Sequence, residues 1–291
     1  MLSLLAATSG AADPIYWSDL GLRPYLFEIG GFQLRFYSLA YLIGVIFAYW
    51  HTSKALKTPG APMAQRHADD LFFYCTLGVI LGGRLGYSIF YQPGLWDNPL
   101  DVFKLWEGGM SFHGGLFGVV VAILFVAYRN KLNFLRICDY VAVSVPMGML
   151  LGRLANFNNG ELWGRVTDAS QVPWAMVFPR AGEVARHPSQ LYQAGLEGLL
   201  LLVVLLFLFW KTGARYRPGL LVGIFTLGIA GARFFNEFFR EPDEQLAAFA
   251  AQTGLSMGQW LTIPLILIGL IVTIYAVRSK PVGTGAATTA A

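Results

Sequence analysis

The chain has 291 residues, of which 55% are hydrophobic and 13% charged, whereas a typical soluble domain has about 25% charged residues. The net charge is +4, and the Lys and Arg residues form no dense basic stripe, which argues against a nucleic-acid-binding protein. Polar residues collect in short clusters between long apolar runs, which is the pattern of a helical membrane protein. The 33 glycines suit helices that pack closely through small residues. The sequence therefore predicts an all-α integral membrane protein.

The chain begins with a tail and an outer interfacial segment, residues 1–33. Its first residues, MLSLLAATSGAAD, have no basic n-region, so we expect an interfacial or disordered tail rather than a cleaved signal peptide. Seven apolar segments follow, each approximately long enough, at about 20 residues, to cross a bilayer. They are residues 34–53, 69–91, 112–129, 137–156, 189–210, 218–238 and 257–277. We expect them to form one transmembrane domain, 34–277, followed by a cytoplasmic tail, 278–291.

The loops between these segments differ in charge on the two sides of the membrane. Lys and Arg recur after the first, third, fifth and seventh segments, whereas Asp and Glu prevail in the alternate loops. Because positively charged loops stay in the cytoplasm, we expect the N-terminus outside and the C-terminus inside. The longest outer connection, 157–188, contains a β-like stretch at 172–178. It is predicted to form a small extracytoplasmic head.

Arginines occur inside or at the ends of the apolar segments, where a central Arg costs on the order of 2.5–3.5 kcal/mol. They are Arg84, Arg153 and Arg233. Each can extend to the interface or pair with an internal carboxylate such as Glu161, Glu197 or Glu237. Alternatively, Arg153 and Arg233, at the outer ends of the fourth and sixth segments, face one cavity. Such a pair of planar guanidinium groups suits a phosphodiester.

A glycine-rich segment opens the third apolar segment from the outer side. Residues 108–115 read GGMSFHGG and include His113. Paired glycines allow close backbone approach, and free N–H groups at a helix start favour an anion. His113 is either a hydrogen-bonded structural residue or a catalyst, and its place on the side of the arginines strengthens the second interpretation. No Cys/His cluster has metal-ligand spacing and no nucleotide-binding loop follows a strand, so we expect neither a metal nor a cofactor.

Residues 152–165 read GRLANFNNGELWGR and resemble the signature of prolipoprotein diacylglyceryl transferases. Other motifs similar to those of the family occur in the same order. They are GGRLGY at 82–87, GGMSFHGG at 108–115, RHPSQLY at 186–192 and RFFNEFFR at 233–240. The resemblance runs from about Tyr37 to the seventh apolar segment.

The resemblance implies an activity and a location. The diacylglyceryl group of phosphatidylglycerol is transferred to the lipobox cysteine in the signal peptide of a prelipoprotein, forming a thioether and releasing glycerol 1-phosphate. This reaction is the first step of lipoprotein maturation. The implied location is the bacterial cytoplasmic (inner) membrane, among membrane lipids, with the active site toward the periplasmic or outer side.

The resemblance also implies which residues form the site. Catalytic roles are expected of His113, Arg153 and Arg233, with His113 either the base or a residue that only orients the lipid. The expected substrate-binding residues are Tyr37, Arg84, Arg153, Asn156, Glu161, Gly164, His187, Glu237 and Arg240. Simpler roles remain open for some of them: Asn156 can cap the fourth helix, Gly164 can serve a turn and Tyr37 can lie at the interface. Glu161 can be the structural partner of an Arg.

Three positions depart from the family pattern. Asn158 stands where an apolar residue is usual, Gln193 where a Glu is common, and Ile229 where related proteins often have a functional Tyr. The role of that Tyr therefore does not transfer to this chain.

A transporter or lipid flippase is the main alternative, because intramembrane charges and Gly-rich helices also mark translocation paths. The unusual polar residues gather on the outer half and no inverted repeat is seen, which argues against this class. An intramembrane protease would need a carboxylate pair or a Ser/His dyad within the spans, and neither is evident.

Overall fold

The computed structural model describes residues 13–30, 32–104, 108–241 and 253–283, without the side chains of Phe32 and Phe112. Over these ranges the protein is mostly helical, as predicted. The first twelve residues, on which the question of a signal peptide depends, lie outside the described residues. The same is true of the last eight residues of the predicted cytoplasmic tail.

Within the described ranges, each of the seven predicted apolar segments coincides with a helix. The helices are α1 (Phe36–Leu56), α2 (Gln65–Phe90), α3 (Phe112–Arg129), α4 (Phe134–Asn158), α5 (Ser189–Lys211), α6 (Leu220–Asn236) and α7 (Met257–Arg278). Four of them, α2, α4, α5 and α7, are long and apolar enough to cross a membrane. The helical character of the segments is confirmed, and the total of seven spans stays a prediction.

Two of the long helices are irregular. A turn at 143–144 interrupts α4, and Pro146 lies in the first turn of the half that follows, Val145–Asn158. Proline is tolerated there because the N–H groups of a first turn have no intrahelical partner. In α5, Ala194–Leu200 forms a π-helical turn, a feature often found at functional sites.

Short strands lie outside the helices. They are β1 (Ile15–Tyr16), β2 (Tyr25–Ile29), β3 (Phe32–Arg35), β4 (Met176–Val177) and β5 (Ala185–Arg186). One sheet has the order β1-β4-β5, with β1 parallel and β5 antiparallel to β4, and β2 pairs with β3 in an antiparallel hairpin. The predicted β-like stretch thus contains β4, and residues 175–178 are buried.

The chain divides into two compact units. The first unit comprises residues 1–44, 145–207 and 223–272, and the second comprises 45–144, 208–222 and 273–291. The first unit contains both sheets and most of the predicted site residues. Arg84 and His113 belong to the second.

In the second unit, α2 and α3 pack through facing glycines. A Cβ atom on Gly118 would lie 2.0 Å from the carbonyl oxygen of Gly78, and one on Gly114 would lie 2.2 Å from that of Gly82. Any side chain at these positions would push the helices apart. The close packing through small residues predicted from the sequence is confirmed for this helix pair.

A buried carboxylate fixes the start of α6 in the same unit. Asp139 is 0% exposed, and its carboxylate accepts hydrogen bonds from the N–H groups of Gly219 (2.7 Å) and Val222 (2.9 Å). These N–H groups belong to a helix N-terminus, where a negative charge is favourable. Asp139 therefore ties α4 to α6.

Candidate active site

Arg153 pairs with a buried carboxylate in the first unit. Arg153 lies in the last turns of α4, and its Nη2 is 3.7 Å from Oε2 of Glu197 in the π-helical turn of α5. The Glu197 side chain is 1% exposed, whereas that of Arg153 is 21% exposed. The guanidinium group is therefore accessible while its counter-charge is buried.

Glu237, which directly follows α6, pairs with two more of the predicted arginines. Its Oε1 lies 3.4 Å from Nη2 of Arg233 and 3.3 Å from Nη1 of Arg240. Its Oε2 accepts a hydrogen bond of 2.9 Å from Oγ of Ser256. The Glu237 side chain is 5% exposed, and those of the two arginines are 32% and 21% exposed. This group repeats the arrangement of accessible guanidinium groups around a buried carboxylate.

The two groups form one cluster. Nδ2 of Asn236 donates to Oε1 of Glu197 at 3.4 Å, and the next residue is Glu237. Arg153 also lies within electrostatic range of both Arg233 and Arg240. With both carboxylates ionised, three arginines and two glutamates leave one net positive charge. A singly charged anion such as a phosphodiester matches that charge, and guanidinium groups provide the paired donors that phosphate oxygens accept.

Three of the predicted substrate-binding residues meet at the end of α4. Nδ2 of Asn156 donates to the hydroxyl group of Tyr37 and, at 3.1 Å, to Oε1 of Glu161. Asn159 donates to the same carboxylate oxygen at 3.3 Å. Asn156 lies within α4 and bonds to side chains, so it is not a helix cap. Glu161 pairs with amides in these contacts, and the loop is further held by a 2.6 Å bond from Gln190 to the carbonyl oxygen of Glu161.

Gly164 lies where two other segments approach the loop after α4. Its N–H donates to the carbonyl oxygen of His187 at 2.9 Å, and it forms an isolated β-bridge with Arg240. A Cβ atom here would lie 2.4 Å from the carbonyl oxygen of Phe239 and 2.6 Å from that of His187. Glycine is therefore required by close packing rather than by a turn, and it lets the loop reach the segment that carries Arg240.

His187 belongs to a chain of hydrogen bonds. Its Nδ1 lies 3.1 Å from the hydroxyl oxygen of Tyr192, which accepts a 2.6 Å bond from Nε1 of Trp174. Because the indole N–H only donates, the Tyr192 hydroxyl can donate to Nδ1, which leaves the proton of neutral His187 on Nε2. Burial lowers the pKa of His187, and this favours the neutral imidazole.

The charge of Arg84 is compensated by backbone carbonyl oxygens. The sequence predicts an internal carboxylate or extension to the membrane interface instead. Arg84 is 4% exposed, and its guanidinium group donates to the carbonyl oxygens of Val102 (2.7 Å), Asp101 (2.8 Å) and Gly109 (3.3 Å) and to that of Gly108. These contacts fix residues 101–102 and 108–109, which precede α3 in the chain. Contact of Arg84 with a substrate stays a prediction.

His113 is the second residue of α3, and its side chain is exposed. Ser111 caps this helix by accepting a 3.2 Å bond from the N–H of Gly114, and its own N–H donates to the carbonyl oxygen of Gly83 at 2.8 Å. The helix start that carries His113 is thereby fixed to α2. In the ranges that the structure describes, no group of three or more His, Cys, Asp or Glu side chains is arranged to hold a metal ion.

Comparison with known proteins identifies the family. The model of the prolipoprotein diacylglyceryl transferase family matches residues 24–275. The chain belongs to this family. It is 66% identical to the phosphatidylglycerol--prolipoprotein diacylglyceryl transferase of Erythrobacter litoralis, over 94% of the chain and 96% of that relative. It is 50% identical to the enzyme of the same name from Zymomonas mobilis, over 88% of the chain and 91% of that relative. The chain is therefore a transferase of lipoprotein biosynthesis.

Two polar side chains of the cluster are not predicted from the sequence. Asn236 lies within the motif RFFNEFFR at 233–240, but the resemblance assigns it no role. Ser256 and Gln259 do have the spacing of a capping box, and the structure shows both of its bonds, from Ser256 N–H to Gln259 Oε1 (2.9 Å) and from Gln259 N–H to Ser256 Oγ (3.1 Å). The capping box marks the start of α7, but its proximity to Glu237 is a tertiary feature.

Proposed function

We propose that this chain transfers the diacylglyceryl group of phosphatidylglycerol to the lipobox cysteine of a prelipoprotein signal peptide, the first step of lipoprotein maturation. The thiol sulfur attacks the carbon of the diacylglyceryl group that is bonded to the phosphate oxygen. A C–S bond forms, the C–O bond to phosphate breaks, and glycerol 1-phosphate leaves with the bonding electrons. The names of the relatives support both substrates.

The observation that carries the proposal is the cluster of Arg153, Arg233 and Arg240 around two buried glutamates, with one net positive charge. A phosphodiester brings one negative charge. As the C–O bond breaks, further negative charge develops on the departing phosphate. Guanidinium donors already in place stabilise that charge more strongly in the transition state than in the bound lipid, which is the requirement for catalysis.

The cysteine thiol, which is the nucleophile, also needs a group that accepts its proton. A free thiol has a pKa of about 8.5, so only a few per cent is thiolate at neutral pH. We assign His113 as the candidate group that accepts the thiol proton, because an imidazole placed near a reacting group is a common general base. Tyr37, Asn156, Glu161 and Gly164 are proposed to shape the binding site.

The proposed setting is the bacterial cytoplasmic membrane, which the chain crosses seven times with the N-terminus outside, the C-terminus inside and the site toward the outer side. The charge difference between alternate loops supports this orientation. Residues 157–188 then form an extracytoplasmic head.

The test gives the purified full chain a lipobox peptide and phosphatidylglycerol with labelled acyl chains. We expect the wild type to label the peptide. Arg153→Ala should abolish labelling, whereas Arg180→Ala, a matched change at an exposed arginine, should leave it intact. A wild type that never labels the peptide would contradict the proposal, and headgroup release with a Ser peptide would indicate a lipase instead.

A further inference from the structure

Glu197 is a buried carboxylate that the proposed reaction uses only as part of the net charge of the cluster. It is 1% exposed, and removal of a carboxylate from water costs several kcal/mol unless partners compensate. Its two oxygens have different partners: Oε2 faces Arg153 Nη2 at 3.7 Å, and Oε1 accepts from Asn236 Nδ2 at 3.4 Å. The side chain therefore connects α4, α5 and α6.

The backbone around Glu197 is adapted to this contact. Glu197 lies in the π-helical turn Ala194–Leu200, and such a turn holds an extra residue, which rotates the side chains beyond it by about 100° around the helix axis. The next residue, Gly198, approaches α4 so closely that a Cβ atom would lie 2.6 Å from Cα of Leu150. This close approach, one turn before Arg153, brings the carboxylate to the guanidinium group.

Asn236 extends the contact to the rest of the cluster. It is 1% exposed, and its neighbour Glu237 holds Arg233 and Arg240. Glu197 is thus the buried end of a network that reaches all three arginines. It is covered by protein, so it acts on a substrate only through its partners.

We propose that Glu197 is a positioning residue for the transfer reaction: it holds the guanidinium group of Arg153 in the orientation in which its donors meet the phosphate of phosphatidylglycerol. This inference rests on the proposed function. A long, partly exposed arginine samples many rotamers, and a buried charged partner restricts them before the lipid binds. Donors that are oriented in advance need no reorganisation as charge develops on the phosphate.

Glu197→Gln separates positioning from attraction. The substitution raises the net charge of the cluster from one to two positive charges, because three arginines then face only one carboxylate. Electrostatic attraction of the anionic lipid therefore does not fall, whereas the orientation of Arg153 is loosened. We expect kcat to fall by about 10- to 100-fold, the range found when a metal ligand loses the partner that orients it. KM for phosphatidylglycerol should not rise.

The deciding experiment uses the full chain and two phosphorothioate diastereomers of phosphatidylglycerol, in which sulfur replaces one or the other non-bridging oxygen. A guanidinium group held in one orientation distinguishes the two, so the wild type should transfer from them at rates that differ by about tenfold or more. In Glu197→Gln this ratio should fall toward one. Glu183→Gln, the same change at an exposed carboxylate, should keep the wild-type ratio, kcat and KM.

A second variant covers the case in which Glu197→Gln does not fold. Asn236→Leu removes the donor to Glu197 with little change in volume. The substitution removes no second hydrogen bond of the Asn236 side chain, because Oδ1 of Asn236 has no hydrogen-bond partner among the described residues. It should also narrow the diastereomer ratio.

The proposal is overturned if folded Glu197→Gln keeps the wild-type kcat and ratio. A lower kcat with an unchanged ratio would overturn it as well, since that result indicates a structural role alone. Equal use of the two diastereomers by the wild type would do the same, because no fixed contact between arginine and phosphate would exist. If the wild type moves no label to the peptide, the proposed function fails first, and this inference fails with it.

Discussion

Gly164→Ala should impair transfer by displacing one wall of the site. The added Cβ atom would lie 2.4 Å from the carbonyl oxygen of Phe239, whereas ordinary contacts begin at 3.4 Å, so one segment must move by about 1 Å. The second obstacle, the carbonyl oxygen of His187 at 2.6 Å, leaves the loop little room to retreat. The segment that moves carries Glu237 and Arg240.

The magnitude follows from that displacement. A misplacement of about 1 Å in a catalytic arrangement costs about 100-fold in rate. Overpacking costs about 1–3 kcal/mol of stability. Strain on the 2.9 Å bond from Gly164 to His187 adds about 1 kcal/mol. We therefore expect kcat to fall about 100-fold and the melting temperature to fall with it.

The assay measures peptide labelling at saturating lipid together with thermal unfolding of the purified enzyme. Gly213→Ala is the control, because Gly213 has φ −83° and an added Cβ atom there would meet nothing within 4 Å. It should leave both quantities unchanged. A Gly164→Ala enzyme with wild-type kcat and stability would refute the packing argument.

Other predictions concern stability and pH. Asp139→Ala removes the acceptor of the buried N–H group of Gly219 and of the partly buried N–H group of Val222, and this should cost about 1–3 kcal/mol in chemical unfolding; an unchanged unfolding midpoint would contradict it. Gly114→Val should prevent stable packing of α2 against α3, because its Cβ atom would lie 2.2 Å from the carbonyl oxygen of Gly82; purification in normal yield would argue against this. The pKa of His187 is lower in the folded chain than its ordinary value, so the unfolded chain binds more protons and folding stability should decline as pH falls below about 6.5. His187→Gln should weaken that decline, as measured by melting temperatures between about pH 7.5 and 5.5, and identical pH profiles would exclude the effect.

The helices are well predicted from the sequence, because length and apolarity suffice to mark them. Even so, α2 begins at Gln65, four residues before the predicted segment 69–91. The extension is polar, so hydropathy does not include it in an apolar segment. Within the part of the chain that the structure describes, four helices are long and apolar enough to cross a membrane, which is fewer than the seven spans predicted.

The charged site is only partly predictable, because the energetic cost of an intramembrane arginine indicates that a partner exists but not which one. Arg84 uses backbone carbonyl oxygens, and these depend on the conformation of a loop. Arg153 uses Glu197, and the pair depends on a π-helical turn that hydropathy does not reveal. The sequence shows which cations need compensation, and only the tertiary packing selects the compensating group.

The linkage formed on the peptide tests the central claim most directly. Mass spectrometry of a lipobox peptide after reaction with phosphatidylglycerol gives the mass of the added group. Treatment with hydroxylamine at neutral pH, which cleaves thioesters but leaves the oxygen esters of the diacyl chains, distinguishes a stable thioether from a labile thioester. The proposed reaction predicts one diacylglyceryl group on the cysteine, stable to hydroxylamine, with one glycerol phosphate released for each modified peptide. An acyl thioester, or glycerol phosphate released without a modified cysteine, would contradict it.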